Sequence, residues 1–335
     1  MNTSMNPVVA SRDVLDTYFR YILTRFPLGK TDPALRSQFR SLLYSEEGQR
    51  NLVKGPYLEL VPPYRTEISI RELAAIDKRW DVLAKHIHTT VDVKQATRKL
   101  YKHQIMACTR SFDFNLVIAT GTGSGKTESF LYPIIRYCME NPGTGIRAVI
   151  IYPLNALVED QMKRLDALLR GTSVTFGRYT GLTPNEKPDP ASAGFSKNCL
   201  QTRAQMRSTP PNVLITNYAM LEYLLLRPGD APLFDIKDKH SFKFLVLDEA
   251  HTYSGAQGTE VAFLLRRLRH RVGRSAPEIR YFATSATLGS GHDAIYKTAE
   301  FAKRLFGASF NEQSIVTGER SDITECLPAS NSRRG

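Results

Sequence analysis

Residues 115–127 read NLVIATGTGSGKT, an apolar run followed by a loop that holds three glycines. The apolar run is typical of a strand that is buried on both faces of a sheet. Glycines let the backbone N–H groups of the loop turn toward one point, and a following helix adds the positive end of its dipole. This geometry cradles phosphates, with Lys126 reaching the β- and γ-phosphates and the Thr127 hydroxyl holding Mg²⁺. The segment therefore predicts a nucleotide-binding α/β fold.

Further short apolar runs follow along the chain, and helical patterns separate them. Strands that alternate with helices predict right-handed βαβ units and a mostly parallel sheet. The stretch of residues 183–211 is rich in proline, serine and asparagine, so we expect a long surface excursion there. The candidate strands are residues 116–118, 148–151, 174–176, 213–215, 244–247 and 280–283.

The first part of the chain has a different, helical pattern. Apolar residues recur at helical spacing from Leu15 to Phe26 and stop at Pro27. Asp32 and Pro33 combine a capping side chain with a proline at the first helical position, which predicts the start of a second helix. The expected organisation is a helical N-terminal region at residues 1–95, a nucleotide-binding domain at residues 96–310 and a C-terminal tail at residues 311–335.

Two adjacent carboxylates end another apolar run, at residues 245–251, which read LVLDEAH. Ligands of open α/β sheets bind at the carboxyl ends of the strands. We expect Asp248 to hold Mg²⁺ and Glu249 to orient and deprotonate the attacking water. A DEAH string alone could instead begin an ordinary helix. Its place at the end of a second buried strand favours the catalytic interpretation.

Two weaker signals accompany the loop and the carboxylates. Gln104 ends the string YKHQ upstream of the loop, and its amide can pair with N6 and N7 of adenine. Without the loop, Gln104 would be read as a plain surface residue. Ser285 and Thr287 follow the last candidate strand, where short hydroxyl side chains can relay the state of the γ-phosphate.

The order of these motifs resembles the first RecA-like domain of DEAD/DEAH-box superfamily 2 helicases, over residues 97–310. The string DEAHTY at residues 248–253, with Gly255 and Gly258 after it, is similar to large bacterial DNA helicases of repair and phage-defence systems. The resemblance implies a RecA-like P-loop NTPase domain that uses ATP and Mg²⁺. It assigns ATP binding to Gln104, Gly121, Thr122, Gly123, Ser124, Gly125, Lys126, Thr127, Asp248, Glu249 and His251.

The resemblance also implies nucleic acid as a partner, with DNA favoured over RNA. Backbone N–H groups at a strand–helix junction can bind a phosphate, and small residues allow the strand to approach closely. The alternative at each place is a turn that is satisfied internally. A basic run at residues 266–274 could add an electrostatic track, although charge runs are more often a solvated face. The candidate contacts are Pro153, Asn155, Ala156, Thr180, Gly181, Thr216 and Asn217.

Composition agrees with these expectations without deciding them. The net charge of +12 over 335 residues fits a partner that carries phosphates, because each neutralised phosphate releases a counterion. No apolar run approaches the ~18 residues of a membrane helix, and residues 1–11 lack the pattern of a leader. We therefore expect a cytoplasmic protein. The four cysteines form no C-x-x-C pair, which predicts reduced thiols.

One motif of the family does not follow Thr287 in this sequence. In such motors ATP lies between two RecA-like domains, and a string close to Gln-x-x-Gly-Arg-x-Gly-Arg in the second domain supplies arginines to the γ-phosphate. We therefore expect a truncated motor, or half of a split motor completed by a second polypeptide, with low activity of the isolated chain. The alternatives are a non-hydrolysing, ATP-responsive nucleic-acid-binding module, which Glu249 disfavours, and an inert truncation product.

Overall fold

The computed structural model describes residues 7–25, 32–43, 61–91, 97–153, 156–188, 194–286 and 293–322. The chain divides into two compact units, residues 1–62 and residues 63–335. The described part of the first unit forms the helices α1 (Pro7–Arg25) and α2 (Pro33–Leu43). Asp32 caps α2, because its Oδ1 accepts hydrogen bonds from the backbone N–H groups of Ala34 and Leu35 at 3.1 and 3.0 Å.

The second unit begins with a small antiparallel sheet and short helices. Strand β1 (Thr66–Ser69) pairs with β2 (Lys99–Tyr101). Between them lie α3 (Ile70–Ile76) and α4 (Asp81–His86). Ser69 and Glu72 form a reciprocal capping box that starts α3. Helix α5 (Lys102–Arg110) follows β2 directly and leads into the main sheet.

The main sheet has eight strands in the described part of the chain, and every pair in it is parallel. Their spatial order is β10-β3-β9-β8-β4-β7-β5-β6. This confirms the predicted α/β fold with a mostly parallel sheet. The strands are β3 (Leu116–Ala119), β4 (Ala148–Tyr152), β5 (Phe176–Arg178), β6 (Cys199–Leu200), β7 (Val213–Asn217), β8 (Phe244–Leu247), β9 (Arg280–Ser285) and β10 (Ile315–Thr317).

Successive residues of each strand enter different apolar clusters, because side chains alternate between the two faces of a sheet. Ile118, Ile150 and Phe282 belong to one cluster, whereas Val117 and Val149 belong to the other. No described helix is long and apolar enough to cross a membrane. The helices that connect the strands are α6 (Lys126–Glu140), α7 (Ala156–Leu169), α8 (Arg203–Ser208), α9 (Tyr218–Leu226), α10 (Gly255–Arg271) and α11 (Ala294–Phe306).

The structure differs from the sequence expectations where the elements are short. Residues 183–211 are more than a surface excursion: their described part contributes β6 and α8, and Met206 of α8 is fully buried. A Cβ on Gly177 of β5 would lie only 2.6 Å from the Met206 sulfur, so glycine allows this approach. Strand β10 lies beyond residue 310, the expected domain boundary, and pairs with β3. A short strand at residues 314–316 is expected from the sequence, and β10 confirms it. Strand β6 and helix α8 carry too little apolar periodicity to be predicted.

Candidate active site

The loop between β3 and α6 has the backbone that a phosphate cradle requires. Gly123 and Gly125 have φ values of +74° and +72°, in the left-handed region that favours glycine. The hydroxyls of Thr120 and Ser124 are 2.6 Å apart and close the loop on itself. Lys126 is the first residue of α6, so its side chain starts at the positive end of the helix dipole.

The two carboxylates follow β8 at the same edge of the sheet. Asp248 is 8% exposed, and its backbone N–H donates to the Ile151 carbonyl at 2.9 Å. The Thr284 hydroxyl donates to an Asp248 carboxylate oxygen and accepts from the Glu249 backbone N–H at 2.9 Å. Burial raises the pKa of the Asp248 carboxyl, while the hydrogen bond from Thr284 opposes that rise. Thr284 therefore orients both carboxylate residues.

Lys126 and Glu249 meet between these two motifs. Lys126 Nζ lies 3.0 Å from Glu249 Oε1, and His251 Nδ1 lies 3.3 Å from Glu249 Oε2. The Lys126 side chain is 8% exposed, and its ammonium has no hydrogen-bond partner within the described residues despite the close ion pair. A buried ammonium without a hydrogen bond is costly unless a further anion satisfies it. The phosphate loop and the paired carboxylates therefore meet at one place, called here the nucleotide pocket, where one buried cationic side chain lies beside two carboxylates. This set of groups suits a phosphate chain with a divalent cation.

Glu249 has an unusual backbone conformation. Its φ and ψ of 47° and 48° place a non-glycine residue in the left-handed region. Such a conformation costs about 1 kcal/mol or more and is enriched at functional sites. It turns the chain sharply after β8, so that Asp248 and Glu249 project toward the loop from adjacent positions.

Gln104 lies in the same region and contacts the loop rather than solvent. Its Oε1 accepts from the Tyr101 backbone N–H, and its Nε2 donates to the Gly125 carbonyl, both at 2.9 Å. His103 Nε2 lies 2.9 Å from the Ser124 carbonyl oxygen, and burial lowers the pKa of His103. A primary amide has further donor and acceptor capacity, so recognition of adenine by Gln104 stays a prediction.

The sequence selected two hydroxyl residues, Ser285 and Thr287, at the end of the last candidate strand. Ser285 ends β9, and its carbonyl accepts from the Thr120 backbone N–H at 3.2 Å, which ties β9 to the phosphate loop. Thr287 lies outside the described residues. Thr284, which sequence reasoning did not select, makes the contacts to Asp248 and Glu249. Side chains alternate along a strand, so Thr284 and Ser285 point to opposite faces of the sheet. This alternation was the signal in the sequence that could have drawn attention to Thr284.

The candidate nucleic-acid residues end three neighbouring strands, β4, β7 and β5. Thr180 and Thr216 are buried, and the Thr216 hydroxyl donates to the Tyr179 carbonyl at 2.8 Å. Asn217 caps α9 by accepting from the Met220 backbone N–H at 2.7 Å. Since these side chains are used within the fold, the groups of this edge that reach solvent are mainly backbone atoms and Gly181. Pro153 and Gly181 reach solvent; Asn155 lies outside the described residues, and Ala156 begins α7.

A buried carboxylate connects these candidate contacts. Asp230 is fully buried, and its Oδ1 accepts from the Tyr179 hydroxyl at 2.5 Å and from Arg207 Nε at 2.7 Å. Tyr179 stands directly before Thr180, and burial together with Asp230 raises the pKa of Tyr179 to about 12. Arg203 donates to the Thr180 carbonyl at 3.1 Å. Buried hydrogen bonds thus hold the residues that follow β5 in place.

The basic run of α10 is used largely within the fold. Arg266 donates to the Arg304 carbonyl at 2.8 Å, and Arg269 donates to the Gly307 carbonyl at 3.2 Å, so both satisfy the carboxyl end of α11. Arg267 forms an ion pair with Glu222 of α9. These three side chains are held by structural contacts, which disfavours the electrostatic track considered from the sequence.

A family model described as DEAD/DEAH box helicase matches residues 100–295. This range contains the phosphate loop, the paired carboxylates and the edge formed by β4, β7 and β5. Druantia protein DruE of Escherichia coli is 32% identical over 88% of this chain and 21% of its own length. An uncharacterized ATP-dependent helicase of Methanocaldococcus jannaschii is 30% identical over 63% of this chain and 28% of its own length.

Solved structures share the same fold. The crystal structure of the DUF1998 helicase MrfA superimposes with a TM-score of 0.53 and 25% identity, over 72% of this chain and 32% of that one. Mss116p bound to single-stranded RNA and AMP-PNP superimposes with a TM-score of 0.53 at 20% identity, over 73% of this chain and 45% of that one, which shows the fold alone. The chain spans less than a third of the length of the two curated relatives above.

Proposed function

The chain belongs to the DEAD/DEAH box helicase family, and from that premise we propose that it is the ATP-binding domain of a DNA helicase or translocase. The observation that carries the proposal is the shared pocket in which Lys126 Nζ lies 3.0 Å from Glu249 Oε1, with Asp248 beside them. A lysine on a phosphate loop and two strand-end carboxylates are the groups that hydrolysis of a nucleoside triphosphate requires.

Each group has one role in the proposed reaction. Lys126 leaves Glu249 and neutralises the β- and γ-phosphates, supported by the N–H groups at the start of α6. Asp248 and the Thr127 hydroxyl would hold Mg²⁺, which when bound neutralises charge that develops on the phosphate oxygens. Glu249, released from Lys126, accepts a proton from the attacking water. Thr284 keeps Asp248 and Glu249 in position through its two hydrogen bonds.

The finer proposal is that a second RecA-like domain completes the site, in the same polypeptide or in another one. An arginine that reaches the γ-phosphate raises the rate of phosphoryl transfer by roughly 10³ to 10⁵ in other enzymes. The resemblance to two-domain motors supports this requirement. We therefore expect this chain alone to bind ATP weakly and to hydrolyse it slowly.

The preference for DNA is supported by one relative. MrfA has also been crystallised with DNA, and its structure is 25% identical to this chain. The candidate contacts lie at the ends of β4, β7 and β5, beside the nucleotide pocket at the end of β8. A strand bound there would contact Pro153, Gly181 and Asn217 chiefly through phosphate and sugar, which gives affinity without base specificity.

The test measures ATP turnover of this chain with and without single-stranded DNA, single-stranded RNA and a separately supplied second RecA-like domain of a DEAD/DEAH-box helicase. The proposal expects slow basal turnover, stimulation by the second domain and more stimulation by DNA than by RNA. Glu249→Gln abolishes turnover, and Glu222→Gln, which removes an exposed carboxylate of α9, leaves it unchanged. Nucleotide binding with no turnover under any condition would favour a non-hydrolysing binding module instead. Stimulation by RNA alone would overturn the DNA assignment.

A further inference from the structure

Two segments from opposite ends of the second unit run side by side next to the phosphate loop. They are residues 63–66 and residues 318–321, called here the paired segments. Arg65 donates its backbone N–H to the Glu319 carbonyl at 2.8 Å, and Ser321 donates to the Pro63 carbonyl at 2.9 Å. Tyr64 and Arg320 form an antiparallel bridge between these bonds. The paired segments, which are more than 250 residues apart in sequence, are therefore joined into a short antiparallel ribbon. This ribbon consists of residues 63–66 and 318–321.

Charged side chains attach this ribbon to α5. The Glu319 carboxylate forms ion pairs with Arg65 at 2.6 Å and with Lys102. The Lys102 backbone N–H also donates to the Arg65 carbonyl at 2.9 Å. These ion pairs are exposed and contribute little stability individually. Their effect is positional, because Lys102 begins the helix whose His103 and Gln104 contact the loop at Ser124 and Gly125.

Tyr64 makes the direct contact between the ribbon and the loop. Its hydroxyl accepts a hydrogen bond from the Gly121 backbone N–H at 2.8 Å. Its ring meets the His103 ring edge to face, with centroids 5.4 Å apart, and the Arg320 guanidinium lies 4.6 Å from its centroid. The loop is thus held at Gly121 from the ribbon and at Gly125 from α5.

Gly318 shows how closely the second of the paired segments passes. A Cβ at this position would lie 2.4 Å from Tyr64 Cε1 and 2.9 Å from Thr120 Cγ2. Both distances are shorter than van der Waals contact, so only glycine fits between Tyr64 and the start of the loop. A displacement of Thr120 or Gly121 is therefore transmitted by contact to Tyr64 and to residue 318.

We propose that Tyr64 is a positioning residue that couples the occupancy of the phosphate loop to the paired segments. This inference rests on the proposed binding of ATP at the loop. Phosphates that bind the N–H groups of residues 123–126 would fix the loop, and the Gly121 N–H, which already donates to the Tyr64 hydroxyl, would keep that acceptor. The ribbon is then held more firmly through Tyr64 and Gly318. By thermodynamic linkage, the same hydroxyl strengthens the binding of nucleotide.

The test compares the wild-type chain with Tyr64→Phe, which removes only the hydroxyl, and with Tyr296→Phe, a matched change on an exposed tyrosine of α11. The affinity for ADP is measured with a fluorescent ADP analogue. Hydrogen exchange is followed at residues 63–66 and 318–321 with and without ADP. In the wild type and in Tyr296→Phe, ADP slows exchange in both segments. In Tyr64→Phe, affinity falls about fivefold, as expected for loss of the hydrogen bond from the Gly121 N–H, and the slowing is lost. The variant also removes the longer bond that Arg320 donates to the hydroxyl at 3.4 Å.

Three outcomes separate the possibilities. Equal slowing by ADP in Tyr64→Phe and in the wild type overturns the proposed coupling. A variant Tyr64→Leu that loses the slowing while Tyr64→Phe keeps it also overturns the proposal, because packing of the ring would then suffice. Failure of the wild-type chain to bind the ADP analogue at all contradicts the proposed function of the loop itself, and is thereby distinguished from failure of the coupling.

Discussion

The Lys126 ammonium and the Glu249 carboxylate form a close ion pair across the nucleotide pocket, with Nζ and Oε1 3.0 Å apart. The lysine that would bind phosphate thus neutralises the carboxylate that would act as base. Both side chains are largely buried, at 8% and 21% exposed, so their interaction is weakly screened by solvent. A triphosphate that binds Lys126 as proposed would compete with Glu249 for the ammonium, so the base would become available as its substrate binds.

The first prediction concerns that pair. Glu249→Gln removes the base and the partner charge, while a neutral amide of similar shape remains. We expect turnover to fall by at least about 100-fold, as for loss of a general base. Affinity for ATP stays equal or increases, because Lys126 no longer has to leave a carboxylate. Steady-state turnover and equilibrium binding measure the two effects, and a fall in affinity without loss of turnover contradicts the assignment.

The second prediction concerns Thr284, which bonds to Asp248 and Glu249. Thr284→Val keeps the shape of the side chain and removes both hydrogen bonds at a buried position. The free energy of unfolding is expected to fall by about 1–3 kcal/mol. Turnover is expected to fall with it, since the Asp248 carboxylate and the Glu249 backbone both lose a hydrogen bond. Thr109→Val is the control, because among the described residues the Thr109 hydroxyl bonds only to carbonyls of its own helix. Denaturant unfolding and turnover assays distinguish the two variants.

The third prediction concerns Asp230 beneath the candidate nucleic-acid edge. Asp230→Asn removes the charge that Arg207 pairs with and weakens the bond from the Tyr179 hydroxyl. We expect affinity for single-stranded DNA to fall about tenfold, whereas affinity for ADP is unchanged, because the pocket at β8 and β3 is not touched. The exposed Asp235→Asn serves as the matched change. Equal loss of both affinities would show a general destabilisation and not a role at this edge.

The fourth prediction concerns pH and the ion pair between Arg147 and Asp238. Arg147 lowers the pKa of Asp238 from 3.8 to about 2, so the carboxylate contributes stability above pH 4 and loses it as pH falls toward 2. Because Arg147 is fully buried, Asp238→Asn leaves its guanidinium without a charged partner. The expected cost at pH 7 is about 1–3 kcal/mol, less than for a fully buried pair because the Asp238 side chain is 36% exposed. Denaturant titrations should show this difference shrinking between pH 4 and pH 2. A difference that is constant with pH contradicts the ion-pair account.

The sequence was sufficient for the sheet and for the pocket where physical constraints are strict. A left-handed loop demands glycine, which makes Gly123 and Gly125 visible, and a strand buried on two faces must be apolar, as at β3 and β8. Because the described strands of the main sheet run in parallel, their carboxyl ends meet at one edge. The meeting of Lys126 with Asp248 and Glu249 could therefore be predicted without coordinates.

Other residues could not be found in this way because their roles arise from contacts distant in sequence. Tyr64 precedes the loop by more than 50 residues, and no spacing indicates that its hydroxyl reaches Gly121. Asp230 resembles any polar residue of a connector until its burial beside Tyr179 is known. The arginines of α10 were ambiguous for the same reason, since a surface track and the capping of a neighbouring helix have the same sequence pattern.

The order of the strands has a mechanical consequence. The candidate nucleotide pocket lies at the ends of β3, β9 and β8. The candidate nucleic-acid contacts lie at the ends of β4, β7 and β5, and β8 is hydrogen-bonded directly to β4. A movement of one half of the sheet relative to the other would break the hydrogen bonds between β8 and β4. If nucleotide and nucleic acid bind as proposed, the distance between them would therefore be set by the sheet and would stay constant. A motor built on this edge would then have to move the whole sheet relative to a second domain.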